Sequence, residues 1–149
     1  MRVQYVGLPP HVRKEVKAII QKYKHTAPSW LQRLVVQYMH DHTGEAGEGA
    51  IAYIETKYEY RYAVLTILGQ RWSDPLVERE RVIVHELCHT HIAPISDFAF
   101  SLLEQREEES DAAYDPVLGA LIEQWRVSME ASVEDTAQAL MAACNGRQG

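Results

Sequence analysis

Cysteine is scarce in this chain, two in 149 residues. That rules out a disulfide framework and suits a reducing compartment. Long apolar runs are missing as well. None approaches the ~20 residues that a bilayer-spanning helix needs, and "MRVQYVGLPPHVRKEV" has neither the uninterrupted apolar segment nor the small-residue cleavage site of a secretory signal. The expectation is a soluble, cytoplasmic protein with no membrane partner. Positive charge is in deficit: 15 Lys and Arg stand against 21 Asp and Glu, for a net charge of −6. Nucleic-acid binding needs clustered Lys and Arg. The one cluster, Arg13, Lys14, Lys17, Lys22 and Lys24, has the spacing of a solvated helix face, so no nucleic-acid partner is expected. What the chain does have is apolar residues, 46% of the total. At this length they suffice for one core, hence one domain over 1–149.

Pro9 and Pro10 can open a helix, and Val12, Val16, Ile19, Ile20 and Tyr23 follow at helical spacing until "HTAPSW" ends it at Pro28. "LQRLVVQYM" reads as a strand, followed by a glycine-bearing loop that carries His40 and His42. "AIAYIETKYEYRYAVLTIL" reads as two strands with a tight turn near Tyr58 to Arg61. A helix is expected from Pro75, with Ser73 or Asp74 as N-cap, to about Ile92, with Pro94 ending it. A short helix from Ser96 to about Gln105 follows, then a charged connection, "REEESDAAYDP". From Val117 to Cys144 apolar residues recur at helical spacing, giving one long helix or two in line. The expected class is α+β: an N-terminal helix, a small three-stranded, mainly antiparallel sheet, then two or three helices.

The stretch "RVIVHELCHTHIAP" carries the chemistry. His85 and His89, four apart on a helix, present their imidazoles to a common point, while Glu86 stands about 100° around. Two neutral nitrogens can hold Zn²⁺, and the adjacent carboxylate is free to take a proton from water that the metal has activated. Val77, Ile83, Val84, Leu87 and Cys88 project to the other side, toward a core. Cys88 reads as a small buried residue rather than a ligand.

"VIVHELCH" resembles the active-site helix of the zincin metallopeptidases, and the element order resembles that of minimal zincins. More narrowly, "HELCHTHIAPISDF" with "VEDTAQAL" is similar to small phage- and prophage-encoded metallopeptidases, and more distantly to the ImmA/IrrE type. The resemblance implies peptide-bond hydrolysis in a bacterial or phage-infected cell, with His85 and His89 as zinc ligands and Glu86 as general base. It also implies a peptide substrate added as a strand to the sheet edge somewhere in residues 50 to 69, which main-chain hydrogen bonds can support with little sequence demand.

A catalytic zinc takes a third protein ligand. His91 is turned about 160° from His89 on a helix, and no histidine follows it. This excludes the metzincin pattern and the downstream histidine of SprT-like proteins, and it leaves a carboxylate, as in gluzincins. Acidic residues 104 to 111 read as solvated surface. Glu134 is preferred because "EDTAQAL" matches the ImmA/IrrE-like pattern at Glu134, Ala137 and Leu140. The alternative, on the pattern of larger gluzincins, is Glu130 as ligand with Glu134 orienting a histidine. His40 and His42 read as loop residues. Tyr58, Tyr60, Tyr62 and Tyr114 are candidates to stabilise an oxyanion. Two other functions compete with a zinc endopeptidase: a non-proteolytic zinc-containing module that binds a phage or host protein, and a zinc hydrolase acting on a non-peptide bond.

Overall fold

The computed structural model describes residues 1–40, 50–109 and 116–146. In chain order the elements are β1 (Arg2–Val6), α1 (Pro10–Tyr23), β2 (Arg33–Met39), β3 (Ala52–Lys57), β4 (Tyr62–Leu68), α2 (Gly69–Trp72), α3 (Arg79–Glu109) and α4 (Pro116–Asn145). The α+β class holds, but the sheet differs from the expected one. It has four strands in the order β1-β2-β4-β3, parallel between β1 and β2 and between β2 and β4, and antiparallel only between β4 and β3. The extra strand, "RVQYV", alternates Val3 and Tyr5 inward with exposed neighbours. Gly7, at φ 69°, turns the chain from it into α1. Parallel pairing of β1 with β2 requires a crossover, and α1 supplies it.

The register fixes a one-sided sheet. Val3, Leu34, Ala63, Leu65, Ile67, Ala52 and Ile54 share a face because each lies opposite another of the set across the ladders. Against it α1 lays Val12, Val16 and Ile20, α3 lays Ile83, Val84, Leu87 and Cys88, and α4 adds Val133 and Ala137. Arg13, Lys14, Lys17 and Lys24 are exposed, as their spacing predicts, while Lys22 pairs with Glu80 at 2.7 Å. The β3–β4 turn falls where expected. It closes on Arg61 in the left-handed region (φ 58°), held by its carbonyl, which accepts from the Gln32 N–H, and by its side chain, which donates to the Trp30 carbonyl. At the β4–α2 junction Gly69 has no room for a Cβ, which would run into the ring of Tyr38.

The boundaries of α3 need correcting at both ends. The segment after Pro75 is a turn in which Asp74 accepts from the Leu76 N–H, and α3 begins only at Arg79, so Val77 precedes the helix. Pro94 does not end α3, which runs through it and absorbs the expected short helix and part of the charged connection. Proline at 94 leaves the Thr90 carbonyl without its helical donor. The indole N–H of Trp30 donates to that carbonyl at 2.9 Å, within the buried interior. The helix therefore continues because a residue from the β2 approach satisfies the group that proline orphans. The C-terminal segment is one helix, α4, and lies antiparallel in sequence order beside α3, with Ser96 donating to the Met129 sulfur.

Candidate metal centre

α3 brings His85 and His89 together as a four-residue helical spacing must: their rings stand 5.0 Å apart, edge to face, and the two Nε2 atoms are separated by 3.3 Å. Two nitrogens bound about 2.0–2.1 Å from a tetrahedral zinc lie roughly 3.3–3.4 Å apart, so the pair is already at ligand spacing. α4 supplies the third member. Glu130 Oε2 is 3.3 Å from His85 Nε2, and its Oε1 is 3.7 Å from His89 Nε2. His85, His89 and Glu130 could together hold a metal ion, each offering one ligand atom within 4.8 Å of the others.

Glu134, preferred from the sequence, sits differently. Its Oε2 lies 3.2 Å from the other ring nitrogen of His85, Nδ1, while its Oε1 accepts from Arg81 at 2.6 Å and from Gln138 at 2.9 Å. These donors, Gln138 first, then Arg81 and His85, hold its carboxyl below the usual carboxylate range. An ionised carboxylate only accepts. When Nδ1 of a neutral His85 donates to Glu134, its Nε2 lone pair is left for a metal. Burial, followed by the neighbouring His85, lowers the pKa of His89 against the opposing pull of Glu130, and this keeps its ring neutral and available as a ligand. Neither Arg81 nor Gln138 was singled out from the sequence. The signal was there: Arg81 precedes His85 by one helical turn, and Gln138 follows Glu134 by one.

Glu86 faces the sheet. The Leu68 N–H donates to the Ile51 carbonyl, and these two residues lie opposite each other when the β3–β4 register is extended by one step. Hydrogen-bonded pairs alternate along an antiparallel ladder. Ala52, Ile54 and Thr56 therefore turn their main-chain groups to the outer edge of β3, which pairs with no further strand among the described residues. The backbone of Ile54 hydrogen-bonds Glu86, which lowers its pKa, but burial first and the charge of Glu130 second prevail and push the carboxyl up to about 8. Two cavities meet at His85 and Glu86. One of ≈ 580 Å³ extends past Ala52, Val82 and Glu134, and the other of ≈ 400 Å³ past Ile54, His89 and Glu130. Together they form a cleft along the β3 edge.

The remaining candidates fall outside this cleft. α3 is continuous through His91, which stays exposed on the other side of the helix. Cys88 is buried in the core, and burial raises its thiol pKa to about 11. His40 is exposed beyond β2, whereas His42 and Tyr114 lie outside the described residues. Tyr62 lies under Arg33 on the sheet face away from the helices. Tyr58 and Tyr60 line a neighbouring cavity, and the tyrosine on the cleft itself is Tyr53, which sequence reasoning did not name. Among the described residues no helix is long and apolar enough to cross a membrane. No protein-family model, no curated protein and no solved structure matches the chain.

Proposed function

We propose that the chain is a zinc-dependent endopeptidase of the zincin type, similar to the small phage-encoded metallopeptidases, with His85, His89 and Glu130 as metal ligands. The observation that carries this reading is the convergence of three ligand atoms on the floor of an open cleft, with Glu86 beside them and a free strand edge above. Three protein ligands are the number a catalytic zinc takes while keeping a position open, whereas a structural zinc takes four. Zinc held there supplies a Lewis acid that lowers the pKa of water and polarises a carbonyl.

The chain's own residues do the rest. The outer edge of β3 offers the main-chain groups of Ala52 and Thr56 and the carbonyl of Ile54 to an extended peptide. Glu86, next to the Ile54 edge group and partly desolvated, is the general base that takes a proton and passes it to the departing amine. Glu134, gripped by Arg81 and Gln138, holds His85 in its tautomer and orientation. The direct test is Glu86→Gln compared with wild type for zinc content and for cleavage of a proteome-derived peptide library. The expected outcome is full zinc occupancy with cleavage lowered by at least about 10²–10⁴-fold, the range that general base catalysis supplies. Undiminished proteolysis in the variant would overturn the mechanism.

A further inference from the structure

The cleft does not stop at His89. The α3 face that borders β3 carries Ala93 and Asp97 beyond Glu86, and Thr56, on the free edge of β3, donates to Asp97 at 3.4 Å. Thr56 and Asp97 also line a further cavity of ≈ 590 Å³, walled by Tyr58, Tyr60, Pro94 and Phe98. That volume lies within the roughly 300–1,000 Å³ of ligand pockets.

Three large aromatic side chains are exposed around this one pocket: Tyr58 at 43%, Tyr60 at 74% and Phe98 at 64%. Such a concentration of exposed apolar surface marks an interaction site rather than scatter. Tyr58 is held edge-on against the buried ring of Trp30, centroids 5.4 Å apart, so one wall is rigid before anything binds. Charge at the rim is mixed but leans acidic, with Glu59 and Asp97 against Lys57.

The geometry points to this pocket as a specificity site for a large apolar or aromatic side chain of the substrate peptide. The inference rests on the peptidase reading. A peptide added to the edge of β3 is steered from Ile54, beside Glu86, toward Tyr58, which lies four residues further on, or roughly 13 Å at strand rise. Antiparallel pairing is the more stable per residue, and it lays the N-terminal part of the peptide over the Tyr58 end. The pocket then receives the side chain three or four residues N-terminal to the bond that is cut. The acidic rim disfavours Asp or Glu there.

The test uses the full chain carrying Glu86→Gln, loaded with zinc, and blocked alanine hexapeptides whose second residue is Phe, Ala or Asp. Binding is followed by amide chemical shifts. The Phe peptide is expected to bind about tenfold tighter than the Ala peptide, in line with burial of one aromatic side chain. Its shifts should centre on Tyr60, Phe98 and Ser101, and the Asp peptide should bind weakest. Phe98→Ala, at an exposed position that folding does not need, should remove the preference for Phe. Equal binding of the three peptides, or a preference that survives Phe98→Ala, overturns the inference. The same peptides are then offered to the wild-type enzyme. Cleavage three or four residues beyond the Phe supports the placement, and cleavage preferentially on the other side of it overturns it. Binding of the Phe peptide at the pocket with no cleavage of any peptide would instead overturn the peptidase reading and leave the pocket as a recognition site.

Discussion

Glu130 and Glu134 are one helical turn apart on α4, and the same kind of side chain does different work at each position because of what surrounds it. Glu130 has its carboxylate 3.3 Å from Nε2 of His85 and 3.7 Å from Nε2 of His89. Glu134 is already occupied by an arginine, an amide and the far side of His85. In the proposed centre, losing Glu130 therefore removes a ligand, while losing Glu134 removes only the group that orients one. Glu134→Ala is expected to weaken zinc binding about 10–100-fold, the usual effect of deleting an outer partner of a ligand histidine. Glu130→Ala should weaken it more, and a competition titration against a chromophoric chelator ranks the two. The reverse ranking would return the ligand role to Glu134. This choice was beyond the sequence for a physical reason. The histidine pair is set by local helix geometry and so is visible in "HELCH", whereas the third ligand depends on how α4 is rotated against α3. The two glutamates differ there by about 40° of helical phase, which the spacing of neighbouring apolar residues leaves undecided.

At the scale of elements the same contrast recurs. α1, the β3–β4 turn and the helical character of α4 follow from local pattern, whereas β1 is five residues long and gains its meaning only from pairing with β2. The passage of α3 through Pro94 depends on Trp30, 60 residues before the Thr90 carbonyl to which it donates, so no window of sequence around the proline could reveal it. That dependence gives a double-mutant cycle. Trp30→Phe removes the donor to the Thr90 carbonyl, and a buried carbonyl left unsatisfied costs about 1–3 kcal/mol. Pro94→Ala restores an N–H at the position from which a helix would supply that donor. With Pro94→Ala in the background, the cost of Trp30→Phe should fall by about 1 kcal/mol in urea unfolding. A cost that is the same in both backgrounds would show that the indole N–H plays no part in carrying the helix past the proline.

For the molecule as a whole, the metal group lies where α3, α4 and the β3 edge meet, so its geometry depends on how the helices are fastened to one another. One fastening lies at the start of α3. Glu80 accepts from Lys22 at 2.7 Å and from the hydroxyl of Tyr23 at 2.6 Å, and Lys22 also donates to Asn145 near the end of α4, which joins α1, α3 and α4. Hydrogen bonds from Lys22 first and Tyr23 second hold the Glu80 carboxyl below its ordinary 4.5, against a smaller opposing effect of burial. A carboxyl whose pKa is depressed on folding stabilises the native state above its unfolded value, and that stability is lost as pH falls through the folded value. The contribution is therefore complete at pH 7 and begins to fade below about pH 5. Because the Glu80 side chain is 38% exposed, water screens the pair and the effect at neutral pH is about 1 kcal/mol or less. Glu80→Gln keeps a hydrogen-bonding group of the same shape and removes the charge. It should lower the urea midpoint at pH 7 and cost progressively less as pH is taken down to about 3. A penalty that does not change with pH would mean that the residue acts through shape and neutral hydrogen bonds, and that the three helices are joined there without help from its charge.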